Sequence, residues 1–171
     1  MRLLHTNSAH WMCGTIAVVL LFATGPASAQ SKTGLPLPRF VSVRDDPANI
    51  RTGPGRRYPI DWILTRVGLP IKVVAEFKDW RQVRAQDGTS GWIHKSLLSG
   101  KRTVAIAGRE DRIYREPNKT SQIAAFVEPG VVASLLGCKK GWCRITVDAH
   151  RVTGWMPQDV LWGILPDEFR G

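Results

Sequence analysis

The chain says the same thing twice, and this repeat limits its fold more than any other feature. Gly91-Trp92-Ile93 recurs as Gly154-Trp155-Met156, 63 residues later. Trp80 recurs as Trp142, and Gly68 as Gly130, at an offset of 62. Val41-Ser42-Val43 recurs as Val104-Ala105-Ile106, and Leu97-Leu98 as Val160-Leu161. One residue lost between Leu64 and Gly68, and one gained between Arg84 and Gly91, restore the register. Compensating slips inside a shared period mean two copies of one small domain. Each copy has about 60 residues, near the lower limit for an independent core. Such a unit commonly binds something and has little room to house chemistry.

Residues 1–29 read as a cleaved export signal rather than as fold. Arg2 is their one formal charge, Gly14 to Ala23 is a short apolar run, and Gly25-Pro26 breaks it. Ala27-Ser28-Ala29 matches the small-x-small cleavage pattern, with Gln30 as the new first residue. The run is shorter than the roughly 20 apolar residues that span a bilayer, so no stable membrane anchor is expected. The protein is therefore expected to be exported, to the periplasm or beyond.

Export changes the meaning of the charge. The chain carries 24 Lys and Arg against 14 Asp and Glu, a net of +10. In the cytosol that excess points to nucleic acid. Outside it, the available polyanions are the cell wall, anionic lipid and lipopolysaccharide, so nucleic acid is not an expected partner. The basic residues are scattered, so attraction to a wall polyanion and plain solubility both fit.

Residues 30–39 contain two Pro and one Gly, and read as an extended, mobile leader. Short strands follow. Val41 to Arg44 leads into a long loop holding Asp45, Asp46, Pro47, Gly53, Pro54 and Gly55. Ile71, Val73, Ala75 and Phe77 alternate with Lys72, Val74, Glu76 and Lys78, which predicts a strand. Trp80 to Arg84 returns after a tight turn, Asp87-Gly88 marks a hairpin, and Gly91 to His94 is a fourth strand. Lys95 to Leu98 reads as a single helical turn before a last strand near Thr103 to Ile106. Short strands with frequent turns predict an all-β fold built on small barrels.

The order of these signals resembles the bacterial Src-homology-3 (SH3b) family. The resemblance rests on Asn49-Ile50-Arg51-Thr52-Gly53-Pro54, Gly68-Leu69-Pro70-Ile71-Lys72-Val73, Trp80-Arg81-Gln82-Val83 and Gly88-Thr89-Ser90-Gly91-Trp92-Ile93. It covers residues 40–99, with a second copy at 103–163 and a tail at 164–171. The second copy keeps Gly130, Trp142 and Gly154-Trp155, but Arg112-Ile113-Tyr114-Arg115-Glu116-Pro117 replaces the opening run. The resemblance implies a five-stranded β barrel in each half. It also implies a role in binding cell-wall peptides, or as an interaction module beside cell-wall enzymes.

Cys13 leaves with the signal, so Cys138 and Cys143 remain. If Lys140-Gly141 are the central residues of a hairpin turn, Lys139 faces Trp142 and Cys138 faces Cys143. A non-hydrogen-bonded pair brings Cα atoms to about 4.5 Å, within reach of a disulfide. An oxidising compartment closes it. Cys-x4-Cys without a second pair is a poor zinc site, and no metal or cofactor is expected. The repeat places Glu76 and Arg81 where the second copy has its cysteines. An ion pair across the first hairpin, contributing about 0.2–1 kcal/mol, is therefore expected to pin the same register.

The remaining aromatics admit two readings. Trp92 and Trp155 follow a Gly at a strand start and read as packing residues. Trp80 and Trp142 sit at the exit of a tight turn, either packed or with one face open. Tyr58 and Trp62 lie near Arg56-Arg57, as a peptide-binding patch or with Trp62 tucked into the barrel. The candidate ligand-binding residues are Arg51, Arg56, Arg57, Tyr58, Trp62 and Trp80 in the first copy, and Tyr114 and Trp142 in the second.

Catalysis finds little support. His94 and His150 do not correspond across the repeat, and Asp45-Asp46 are loop neighbours that read as turn caps. No phosphate-binding glycine loop or His-Glu-x-x-His motif is present. The expected function is a non-catalytic binding module for peptidoglycan or another anionic wall component. A docking module for an envelope protein is the alternative.

Overall fold

The computed structural model describes residues 33–108, 111–166 and 168–169. The expected signal, residues 1–29, lies outside them. The described residues are all-β apart from three short 3-10 turns, Lys95–Leu97, Asp148–His150 and Gln158–Val160. The first half contains β1 (Arg39–Val43), β2 (Ala48–Arg51), β3 (Ile60–Leu64), β4 (Pro70–Phe77), β5 (Trp80–Arg84), β6 (Ser90–His94) and β7 (Leu98–Ser99). The second contains β8 (Thr103–Ile106), β9 (Asp111–Tyr114), β10 (Ile123–Val127), β11 (Val132–Lys139), β12 (Trp142–Val147), β13 (Val152–Pro157) and β14 (Leu161–Trp162). Each half forms one sheet, in the orders β3-β2-β6-β5-β4-β1-β7 and β10-β9-β13-β12-β11-β8-β14.

Each sheet thus has seven strands, where the resemblance implies five. The expected long loop after Arg44 contains β2 and β3. β3 escapes period-two reading because it is an edge strand, exposed along most of its length, with no core to enforce alternation. Thr103–Ile106 is not the last strand of the first barrel. That place belongs to Leu98–Ser99, which pairs with β1, and Thr103–Ile106 opens the second sheet.

Both sheets wrap around aliphatic cores. Val43, Ile50, Ile71, Val73, Val83 and Ile93, drawn from five strands, share one cluster, which requires the sheet to coil on itself. Ile106, Ile113, Ile145, Val147 and Met156 do the same in the second half. Burying each such side chain contributes about 1.5–3 kcal/mol. Tryptophan is absent from both clusters of described residues. Trp92 and Trp155 are half-buried, so their expected role as core packing is not what the repeated Gly-Trp serves.

A β-bulge explains the pinning pairs. Along β4 the register with β5 shifts between Val73 and Ala75, leaving Val74 as the extra residue. β11 shifts between Leu135 and Gly137, leaving Leu136. The extra residue reverses strand parity. Phe77, which alternates in step with the buried Ile71 and Val73, turns outward and is 43% exposed. Glu76 turns inward instead, opposite Arg81, with its Oε1 3.1 Å from Arg81 Nε. At the matching positions Cys138 faces Cys143 in a disulfide with Cα atoms 4.0 Å apart. Lys140 and Gly141 both take positive φ, 48° and 78°, as a two-residue hairpin turn requires. By the chain-entropy model so small a loop stabilises by about 2 kcal/mol. Cys138→Ser/Cys143→Ser is expected to lose that amount in urea unfolding, and an unchanged midpoint would refute it.

The described part of the 30–39 leader lies against the first barrel. Leu37 packs on its core, Thr33 Oγ1 donates to Glu76, and Arg39 reaches Glu76 Oε1 at 2.6 Å. This segment is anchored where the sequence reads as extended and mobile. The barrels also touch directly. Thr103 Oγ1 donates to Gly68 O (2.6 Å), Arg66 to Gly130 O (2.7 Å), and Trp162 Nε1 to Pro70 O (3.3 Å). Trp162 meets Phe40 edge to face at 5.1 Å.

Candidate functional site

The loop between β2 and β3 is built around one guanidinium. Arg51, at the end of β2, donates through NH1 to Tyr58 O (2.7 Å) and Arg56 O (3.2 Å). The Tyr58 ring lies flat on Gly53, where an added Cβ would sit 2.5 Å from it. Thr52 N to Pro59 O (3.1 Å) closes the loop base. Arg51 therefore positions the loop, and its backbone bonds explain the Asn-Ile-Arg-Thr-Gly-Pro run.

The loop carries Arg56 to a groove of about 330 Å3 that it shares with Asn49, Arg51, Trp80, His94, Ser96 and Leu97. Trp80 and His94 are cross-strand partners with rings edge to face, 5.3 Å apart. Ser96 Oγ lies 2.7 Å from His94 Nδ1, and Ser96 N–H also donates to that nitrogen at 3.3 Å. Nδ1 therefore accepts, and neutral His94 carries its proton on Nε2. Just outside, Lys95 pairs with Asp79 at 2.8 Å. The hydrogen bond and charge of Lys95 hold the Asp79 carboxyl below its ordinary range.

Of the first-copy candidates, the structure brings Arg51, Arg56 and Trp80 to this groove. Arg57 stays outside, stacked 5.2 Å over the Tyr58 ring. Trp62 is not tucked into the barrel: it is 54% exposed and lines a different cleft. Asn49 and His94 join the groove without having been singled out for binding. Asn49 shares a strand face with Arg51 by period two. His94 needed the β5–β6 register, which the sequence does not display.

The second copy repeats the groove in altered form. Lys119, Trp142, Pro157 and Asp159 stand at the positions of Arg56, Trp80, His94 and Ser96, around a space of about 760 Å3. Tyr114 replaces Arg51 and is 7% exposed, its ring edge-on to Trp142 at 5.7 Å. Ile164, Pro166 and Phe169 of the C-terminal segment form a further wall. Arg102 ties that segment down through Gly163 O (2.8 Å) and the Glu168 carboxylate. Burial pushes the Glu168 carboxyl up. The Arg102 and Leu165 N–H hydrogen bonds outweigh it, and the net direction is down. The first groove thus carries Arg51 and Arg56, and the second Lys119 and Lys140 beside Asp159, with the apolar side chains of the C-terminal segment added. No group of three or more metal-ligating side chains occurs among the described residues.

No curated protein matches this chain. Similar solved structures include three that each give a TM-score of 0.33. NlpC2 of Trichomonas vaginalis is 16% identical, over 73% of this chain and 48% of its own. NlpC1 of the same organism is 18% identical, over 78% and 48%. An NlpC/P60 family protein of Bacillus cereus is 13% identical, over 72% and 55%. This chain therefore spans about half the length of each. The bacterial SH3 domain model matches twice, over residues 44–100 and 108–163, and the chain belongs to that family with two tandem copies of the domain.

Proposed function

We propose that this chain is a non-catalytic, exported wall-binding module whose first groove takes a free carboxylate of a peptidoglycan peptide. The observation that carries this reading is that Arg56 and Trp80 line one groove, with Asn49, His94 and Ser96. A guanidinium pairs with a carboxylate through two parallel hydrogen bonds, and the indole offers an apolar face to the adjoining side chain. The net charge of +10 draws an anionic polymer from a distance. The disulfide supports an oxidising compartment.

The test is sedimentation with purified peptidoglycan sacculi across a salt series. Binding is expected to saturate, weaken with salt, and fall about tenfold or more in Arg56→Ala, since a hydrogen bond to a charged group contributes about 1.5–3 kcal/mol. Arg51 is left intact because it holds the loop. No binding at low salt would sink the reading and favour a protein partner. The edge strands β3 and β10 support that second reading, for they expose Ile60, Ile63, Ile123 and Phe126 beside unpaired backbone.

A further inference from the structure

A second cleft, of about 550 Å3, opens where the two barrels meet. Its size and mixed lining are those of ligand sites at domain interfaces. Trp62 and Trp162 come to it from opposite barrels, with Leu69 as apolar wall and Gln86, Asp87 and Thr89 from the β5–β6 hairpin as polar rim. Trp162 is fixed by its bond to Pro70 O and its contact with Phe40. Lys72 lies 5.1 Å from the Trp162 ring centroid without lining the cleft. Trp62 is 54% exposed, and no ring or cation covers it among the described residues.

The charge here runs against the rest of the molecule. In a chain of net +10, the one charged side chain lining this cleft is an acid, Asp87. Its Oδ1 accepts the Thr89 N–H at 2.9 Å. That bond holds the carboxyl below its ordinary range, so it is an ionised acceptor at neutral pH. An anionic ligand would meet Asp87 with no lining cation to offset it. A polycation would be repelled by the overall field. A neutral, hydroxyl-rich ligand meets neither penalty.

We infer that the cleft between Trp62 and Trp162 binds a neutral polysaccharide strand, with a sugar stacked on Trp62 and its hydroxyls on Asp87 and Gln86. A pyranose ring has one face of polarised C–H bonds, which sits on the electron-rich face of an indole. Its neighbouring hydroxyls donate to a carboxylate and to an amide oxygen. This inference rests on the wall-binding reading and deepens it. A wall polymer then presents its sugar to this cleft and its peptide carboxylate to the Arg56 groove, and two linked contacts exceed either alone.

The experiment is a titration of the full chain with hexa-N-acetylchitohexaose, a neutral glycan without peptide, followed by tryptophan fluorescence. Saturable binding is expected, weakened tenfold or more in Trp62→Ala and in Asp87→Asn, and unchanged in Arg56→Ala. Both altered residues are exposed, so neither change is expected to disturb folding. No saturation at millimolar glycan, or full binding by Trp62→Ala, would overturn the inference. So would tetralysine binding lost in the same two variants, which would make the cleft a cation site. Sacculi bound without the glycan would leave wall binding standing and remove this cleft. Glycan bound without salt-sensitive sacculus binding would do the reverse for the carboxylate groove.

Discussion

Replacing Glu76 with alanine is expected to destabilise the first barrel by about 3–5 kcal/mol, the cost of breaking a buried ion pair by removing one partner. The Glu76 side chain is 1% exposed and lies between Arg39 at 2.6 Å and Arg81 at 3.1 Å. Arg81 NH1 keeps its bonds to Lys78 O (2.9 Å) and Trp80 O (3.0 Å) without the carboxylate. Its buried charge, and that of the partly buried Arg39, would lose this carboxylate. The anchored N-terminal segment would also lose the Thr33 and Arg39 contacts that hold it to β4. Urea unfolding read through a probe in the first barrel checks this. A loss under about 1 kcal/mol, the range of exposed pairs, would mean that water reaches these guanidinium groups.

The second large effect is expected from the repeated glycine before Trp. A Cβ on Gly91 would sit 2.5 Å from Ile50 Cγ2 and 2.7 Å from Arg51 O. On Gly154 it would sit 2.5 Å from both Ile113 Cγ2 and Tyr114 O. One of the two obstacles is backbone in each copy. That backbone belongs to the strand crossing at Arg51↔Trp92 or Tyr114↔Trp155, so it cannot yield without loosening the crossing. Gly91→Ala and Gly154→Ala are each expected to lose about 1–3 kcal/mol, as overpacked cores do. Gly100, where an added Cβ would meet nothing within 4 Å, is the control, and Gly100→Ala is expected to be neutral. Equal midpoints for all three variants in thermal unfolding would refute the steric account.

These two sites mark where sequence reasoning reaches and where it stops. The Gly-Trp repeat located both domains, yet its reason is a backbone crossing rather than an indole in the core. The hairpin arithmetic around Lys140-Gly141 led to the Cys138–Cys143 pairing because a two-residue turn sets its register locally. The same hairpin in the first copy is only half legible. Alternation along residues 71–77 hides the bulge at Val74, and with it the inward turn of Glu76. β3 stayed invisible because an edge strand carries no periodic burial. Trp62 reads as a neighbour of Arg56 because it lies six positions further along the chain, but strand pairing sends the two side chains to different clefts.

What the sequence determined by itself was the pair of tandem all-β domains, their family, and the disulfide hairpin of the second. These rest on spacing along one chain: a repeat, an alternation and a two-residue turn. Tertiary structure alone decided which side chains meet. It joined His94 to Trp80, spent Arg51 on the loop that presents Arg56, walled the second groove with the C-terminal segment, and set Trp62 opposite Trp162. The physical reason is that a coiled sheet brings together residues from distant strands. Their register depends on bulges and edge pairings, and those cost too little locally to leave a mark in the sequence.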